Sequence, residues 1–154
     1  MTTIAFDGNS ISYDSQSTIG GNKDYTINKI IEGLDFFIGC AGYEFQIDLL
    51  RRGLLKKGTT FKSLVSDGIP LYPTLDDNLN LLLIGKYEYT DSYYICAGGR
   101  WFLRNPKKEA AIGSGGFLAL SAMMAGADSR RAVQIAAELD LYTGGEIHTR
   151  FLID

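Results

Sequence analysis

Charge of one sign, histidine, cysteine and long apolar runs are all scarce in this 154-residue chain, and each scarcity removes a class of function. Fifteen Lys and Arg against 18 Asp and Glu leave a net charge of −3. The basic residues are scattered, apart from short pairs such as Arg51-Arg52, Lys56-Lys57 and Arg130-Arg131. No face is laid out for a phosphate backbone, so nucleic acid is not an expected partner. No apolar run approaches the roughly 18 residues of a membrane-spanning helix, and no basic-then-apolar leader opens the chain. The expectation is a cytoplasmic protein without a membrane partner. Cys40 and Cys96 stand far apart in apolar settings and read as small core residues, not as a disulfide or a metal pair. His148 is the single histidine, and no ligand spacing accompanies it, so neither a metal nor another cofactor is expected.

What is present is an ordinary globular balance, 45% apolar and 21% charged, in a chain long enough for one domain with a real core, residues 1–154. Thr3 to Phe6 runs into the turn Asp7-Gly8-Asn9, and Ser10 to Ser15 alternates Ile11 and Tyr13 with polar residues, which predicts a hairpin. Gly20-Gly21-Asn22 is a break. Tyr25 to Ile31 reads as a strand that turns at Glu32-Gly33-Leu34-Asp35 into the strand Phe36 to Cys40. Phe45, Leu49, Leu50 and Leu54 then recur at helical spacing, with Gly58 as the stop. A short helix is expected near Phe61 to Ser66, and the rest of the stretch to Asn78, with Pro70 and Pro73, reads as loop. Leu79 to Lys86, Asp91 to Cys96, Trp101 to Arg104 and Ala110 to Ile112 read as strands. An Ala/Met/Leu helix runs through Ala125, a second is capped at Asp128 or Ser129 with a stripe of Ala132, Val133, Ala136 and Leu139, and Ile147 to Ile153 alternates as a closing strand. Strand runs separated by paired helices argue for an α+β domain of antiparallel sheets covered by helices, and against a parallel βαβ series.

Several short motifs fail on inspection. Gly113-Ser114-Gly115-Gly116 lacks the third glycine of a dinucleotide fingerprint, where Leu118 stands, and the first glycine of a nucleophile elbow, where Ile112 stands. Gly85-Lys86 lacks both the upstream glycine and the hydroxyl residue of a phosphate loop.

The chain opens Met1-Thr2-Thr3-Ile4. Methionine is trimmed when a small residue follows, which leaves Thr2 at the N-terminus. An N-terminal threonine joins a hydroxyl nucleophile to an α-amine whose reference pKa of about 7.7–8.0 suits a general base near neutrality. Small residues are common after an initiator Met, so this feature alone decides nothing. Its company does. Tyr13-Asp14-Ser15-Gln16-Ser17-Thr18, Asn28-Lys29-Ile30, Ala41-Gly42, Ser114 within Gly113-Ser114-Gly115, and above all Asp140-Leu141-Tyr142-Thr143-Gly144-Gly145 follow in that order. Over nearly its whole length the sequence resembles the proteasome β subunits and the peptidase subunit of the related bacterial ATP-dependent protease, the threonine peptidases among N-terminal-nucleophile hydrolases.

That resemblance implies a four-layer αββα sandwich of two antiparallel sheets. It implies Thr2 as nucleophile, Asp14 and Lys29 as the pair beside its hydroxyl, and Gly42 as the N–H that stabilises the oxyanion, a contribution of about 3–4 kcal/mol in comparable sites. Ser114, Asp140 and Thr143 are implied as the network around the Thr2 amine, Cys40 as the floor of the specificity pocket and Ile27 as its wall. A lysine held as a cation by Asp14 would lower the pKa of the Thr2 hydroxyl and amine. Implied partners are peptide or unfolded-protein substrates and further copies of the chain in a closed homo-oligomeric ring, with an ATPase unfoldase as a candidate. The segment between the first helix and Leu79 is shorter than in most relatives and broken by prolines, which leaves ring size open. Two rival readings stay open: an N-terminal-nucleophile amidase acting on small amides, and a catalytically silent structural or assembly subunit in which Met1 is retained.

Overall fold

The computed structural model describes residues 2–19, 22–24, 28–42, 44–56, 58–67, 80–87, 92–95, 101–104 and 109–152. Strands β1 (Thr3–Phe6) and β2 (Ser10–Tyr13) form the expected hairpin, with Ile4 opposite Tyr13 and Phe6 opposite Ile11. The Asp7 side chain builds the turn, its Oδ1 accepting the N–H of Asn9 and of Ser10 at 2.8 Å each. A short hairpin of β3 (Ser17–Ile19) and β4 (Asn22–Asp24) follows, where the sequence signalled only a break. Strand β5 (Ile30–Glu32) begins later than Tyr25 and takes in Glu32, which the sequence assigned to the turn; residues 25–27 lie outside the described residues. Strand β6 (Phe36–Ala41) leads into α1 (Glu44–Lys56) and α2 (Phe61–Asp67). Strands β7 (Asn80–Gly85), β8 (Ser92–Ile95), β9 (Trp101–Arg104) and β10 (Ala110–Gly113) precede α3 (Gly116–Met124), α4 (Ser129–Leu139) and β11 (His148–Phe151).

The strands form one sheet in the order β10-β1-β2-β11 and a second in the order β5-β6-β7-β8-β9, every pairing antiparallel. The two-residue side-chain period of a strand sorts their residues into three cores. On β6 and β7, Phe36, Ile38, Cys40, Leu81 and Leu83 meet Ile47, Leu50 and Leu54 of α1 and Leu64 of α2. The alternate residues Phe37, Ala41, Leu82 and Ile84 turn the other way and meet Ile4, Phe6, Ile11, Tyr13, Ala110 and Ile112 of the first sheet. On the far face of that sheet, Ala5 packs with Ala119 and Met123 of α3 and with Ala132, Val133 and Ala136 of α4. Three cores separate four layers, helices–sheet–sheet–helices, which is the expected αββα sandwich. Central strands buried on both faces explain why the sequence shows near-continuous apolar runs at 36–41 and 81–84 instead of clean alternation.

Strand β2 docks α4 through hydroxyls. Ser10 and Ser12 are buried on its helix-facing side, and both reach the Ser129 hydroxyl at the start of α4, at 2.7 and 2.6 Å. Asp7 Oδ2 accepts the Ser129 N–H at 2.9 Å, and Asp128 caps the helix by accepting the Arg131 N–H at 2.8 Å. Fixing the start of α4 also fixes its end, where Asp140 is the C-cap residue. Truncating Leu82, fully buried between the sheets, is expected to cost about 2–5 kcal/mol through lost transfer energy and an unfilled cavity. Truncating Leu34, 81% exposed, is expected to cost almost nothing. Urea unfolding of the two alanine variants checks the contrast.

Candidate active site

Asp14 follows β2 and is wholly buried. An ionised carboxylate so placed must find donors or be neutralised. Here Oδ1 accepts the Lys29 ammonium at 2.7 Å, the Thr2 hydroxyl at 2.8 Å and the Thr3 N–H at 3.0 Å, while Oδ2 accepts the Gly144 N–H at 2.9 Å. Lys29 immediately precedes β5, and its carbonyl accepts the Cys40 N–H at 2.9 Å, which extends the β5–β6 ladder and locks the lysine in place. Burial pulls the Lys29 ammonium below the ordinary lysine value, with attraction to Asp14 pulling back towards it. The threonine hydroxyl and the ammonium share one carboxylate oxygen, so the proton of the hydroxyl has both an acceptor and a cation beside it.

A second carboxylate lies at the end of α4. Asp140 Oδ2 accepts the Ser114 hydroxyl and the Thr143 hydroxyl, each at 2.6 Å, and Oδ1 accepts the Tyr142 N–H at 3.3 Å. Burial raises the Asp140 pKa, but the donated bonds from Ser114, Thr143 and Tyr142 outweigh it and hold the carboxyl below its ordinary value. Ser114 also lies 3.4 Å from the Thr2 carbonyl. A serine has one proton, and the 2.6 Å bond to Asp140 claims it. The Thr2 carbonyl additionally receives the Gly115 N–H at 3.4 Å. Gly113 closes β10 with φ +94, and a Cβ there would overlap the Thr2 carbonyl, so only glycine lets the chain pass this close to Thr2.

Solved structures share this architecture from end to end. Eukaryotic HslV from Trypanosoma brucei superposes with a TM-score of 0.68 at 22% identity, 99% of each chain being covered. Thiobacillus denitrificans BPH in complex with epoxomicin gives 0.71 at 19% identity, again over 99% of each chain. A further structure of Thiobacillus denitrificans BPH gives 0.65 at 20% identity, over 99% of this chain and 98% of that one. The chain has the proteasome-type N-terminal-nucleophile hydrolase fold. No family model and no curated sequence matches it.

Within this fold, six of the residues singled out from sequence stand in one network made of two hydrogen-bonded clusters, Thr2-Asp14-Lys29 and Ser114-Asp140-Thr143, which are joined through Thr3. Gly42 is exposed directly after β6, two residues beyond Cys40, and is not part of that network. Ile27 lies outside the described residues. Cys40 is not brought to the site surface. It is fully buried, its side chain faces the α1 core with Phe36 and Ile38, and burial pushes its thiol up to about 12. Among the described residues no three His, Cys, Asp or Glu side chains converge as metal ligands. The sequence reading missed Thr3, whose N–H reaches Asp14 and whose hydroxyl lies 2.7 Å from that of Thr143. It also missed the Gly144 N–H as a second-side donor to Asp14.

Two outcomes follow from these contacts. Asp14→Ala leaves the Lys29 ammonium buried without its carboxylate and is expected to cost about 3–5 kcal/mol of stability, read by denaturant unfolding. For Asp140, the folded carboxyl titrates below 3.8 and the unfolded one near 3.8. Between the two values the unfolded chain binds more protons, so stability rises with pH across that window. The contribution is therefore complete above 3.8 and lost as pH falls through the folded value. Unfolding curves taken from about pH 2 to pH 6 should show this acid loss in the parent protein and a smaller one in Asp140→Asn.

Proposed function

We propose that the chain is a threonine-type peptidase that hydrolyses peptide bonds through an acyl-enzyme ester on Thr2. One observation carries the reading: the second residue of the chain places its hydroxyl on the carboxylate that also holds a buried lysine, while Ser114, 3.4 Å from the carbonyl of the same residue, is bonded to a second carboxylate. In the sequence the Thr2 nitrogen is acylated by Met1, and an amide nitrogen is no base. Removal of Met1 turns it into an amine that titrates near neutrality and takes up the threonine proton, directly or through one water. The Asp14–Lys29 pair lowers the cost of the alkoxide. Ser114, Asp140 and Thr143 orient the amine and set its protonation, and the Gly42 N–H receives the oxyanion. The Thr2 amine passes the threonine proton to the leaving amine of the peptide as the C–N bond breaks. It then takes a proton from the water that attacks the ester and returns it to the Thr2 oxygen as the ester C–O bond breaks. No metal or other cofactor enters these steps.

The fold likeness to HslV and to an epoxomicin complex supports a protein or peptide substrate and a self-compartmentalising homo-oligomeric ring, with an ATPase unfoldase as a partner class. The absence of any described helix long and apolar enough to cross a membrane accords with a cytoplasmic enzyme.

Intact-mass spectrometry before and after treatment with epoxomicin tests the reading. The expected result is a mass lower by one methionine residue and a single adduct that maps to Thr2 and is absent from Thr2→Ala. Retained Met1 with no adduct would move the assignment to a silent structural subunit. Adduct formation with turnover of small amides but not of peptides would move it to an amidase.

A further inference from the structure

The Thr3 hydroxyl is buried beside the second carboxylate cluster, and its direction of donation follows from counting protons. Thr143 Oγ1 lies 2.6 Å from Asp140 Oδ2 and 2.7 Å from Thr3 Oγ1. A hydroxyl carries one proton, and an ionised carboxylate carries none. Thr143 must therefore donate to Asp140, and Thr3 must donate to Thr143. The result is a one-way relay from Thr3 through Thr143 to Asp140, joined at the carboxylate by Ser114.

Three further features show that this relay is built into the fold. Thr3 is wholly inaccessible, so its hydroxyl has no water to turn to. Gly115 stands over it, and a Cβ at that position would overlap Thr3 Oγ1 and press on Thr143 Oγ1 at 3.1 Å. The Thr3 N–H meanwhile donates to Asp14 Oδ1 at 3.0 Å. Thr3 is thus tied to Asp14 by its backbone and to Asp140 through the hydroxyl of Thr143.

We infer that Thr3 is a positioning residue of the active site, whose hydroxyl orients Thr143 towards Asp140 and so fixes the carboxylate assigned above to the Thr2 amine. Donation into Thr143 polarises the Thr143 O–H and strengthens the bond it gives to Asp140. A stronger bond to the ionised form favours that form. The catalytic consequence rests on the peptidase reading given above, whereas the coupling of Thr3 to Asp140 does not, and the experiment separates the two.

Carbon-13 NMR titration of the Asp140 carboxyl, assigned by its absence from Asp140→Asn, reads the coupling without any need for activity. Thr3→Val keeps the shape of the residue and removes the donor. Its Asp140 midpoint is expected to rise by about 0.5 unit, and Thr3→Ser is expected to restore the parent value. Thr143→Val should raise the midpoint as well, and the Thr3→Val/Thr143→Val double variant no further than Thr143→Val alone, because Thr3 acts through Thr143. If Thr3→Val does not fold, Thr3→Cys, with a weaker donor of similar size, reads the same shift. An unchanged midpoint in a folded Thr3 variant, or fully additive shifts in the double variant, overturns the relay. In peptidase assays kcat should fall in Thr3→Val and return in Thr3→Ser, while the acid limb of kcat/KM stays near neutrality, where the Thr2 amine titrates; a midpoint that moves while kcat keeps its parent value overturns the positioning role. A parent protein without epoxomicin adduct or turnover overturns the peptidase reading and the catalytic role of Thr3 with it, while the NMR shifts still decide the relay.

Discussion

The buried carboxylate of Asp14 is the group on which the arrangement depends. Taking a charge out of water is costly unless donors replace the water, and the four donors that do so come from different parts of the chain. Thr2 and Thr3 stand at the start of β1, Lys29 just before β5, and Gly144 in the loop after α4. The Thr3 carbonyl accepts the Asp14 N–H at 3.3 Å, and the Gly144 carbonyl accepts the Ser15 N–H at 3.2 Å, so backbone bonds hold both flanks in register with the carboxylate. Folding the sandwich and assembling the site are consequently one event: the first sheet, the second sheet and the α4 layer each bring a donor that the others need.

The layers explain how small residues achieve this closeness. Ala5 on β1 meets Ala119, Ala132 and Ala136, so α3 and α4 lie close against the sheet and the segments at their ends reach Thr2 and Thr3. Ser114 and Gly115 lead into α3, and Asp140, Thr143 and Gly144 follow α4. Larger side chains at the alanine positions would lift the helices and carry these contacts out of hydrogen-bonding range. The hydroxyl cluster of Ser10, Ser12 and Ser129 sets the height of α4 at its other end. A polar contact inside a core costs little here because every hydroxyl in it has a partner.

The α4 cap was legible because Asp128 announces itself, and the hairpin of β1 and β2 because Asp-Gly-Asn sits between two apolar runs. The β3–β4 hairpin was not, since three-residue strands of mostly polar composition carry no period to read. Sheet order was also hidden: β10 and β11 flank the first hairpin from more than a hundred residues away, and no local signal encodes such pairings. The residues of the two carboxylate clusters were singled out through their order along the chain, not through spacing. Cys40 shows the limit of that route. In the uniformly apolar run Phe36 to Ala41 either face is plausible, and only the register against β7 shows that Cys40 shares the α1 side with Phe36 and Ile38. Thr3 was passed over because a threonine on an apolar strand looks like β-propensity until the hydroxyl across from it is known.

The two carboxylates are bonded by different neighbours, and the difference bears on what each is for. Asp14 is sealed in and already holds a fixed cation, Lys29, at 2.7 Å, so its charge is spoken for. Asp140 is only partly buried, and it accepts hydrogen bonds from two hydroxyls and a backbone N–H, all neutral. Neutral donors stabilise a carboxylate without cancelling its charge. A carboxylate kept ionised in this way retains its attraction for a cation that comes and goes. On the peptidase reading that cation is the Thr2 ammonium, formed when the amine takes the hydroxyl proton and discharged when it passes the proton on. Hydroxyls as the bonded partners of Asp140 leave its charge to attract that cation, and the Lys29 ammonium, bonded to Asp14, adds its own charge to the field around it.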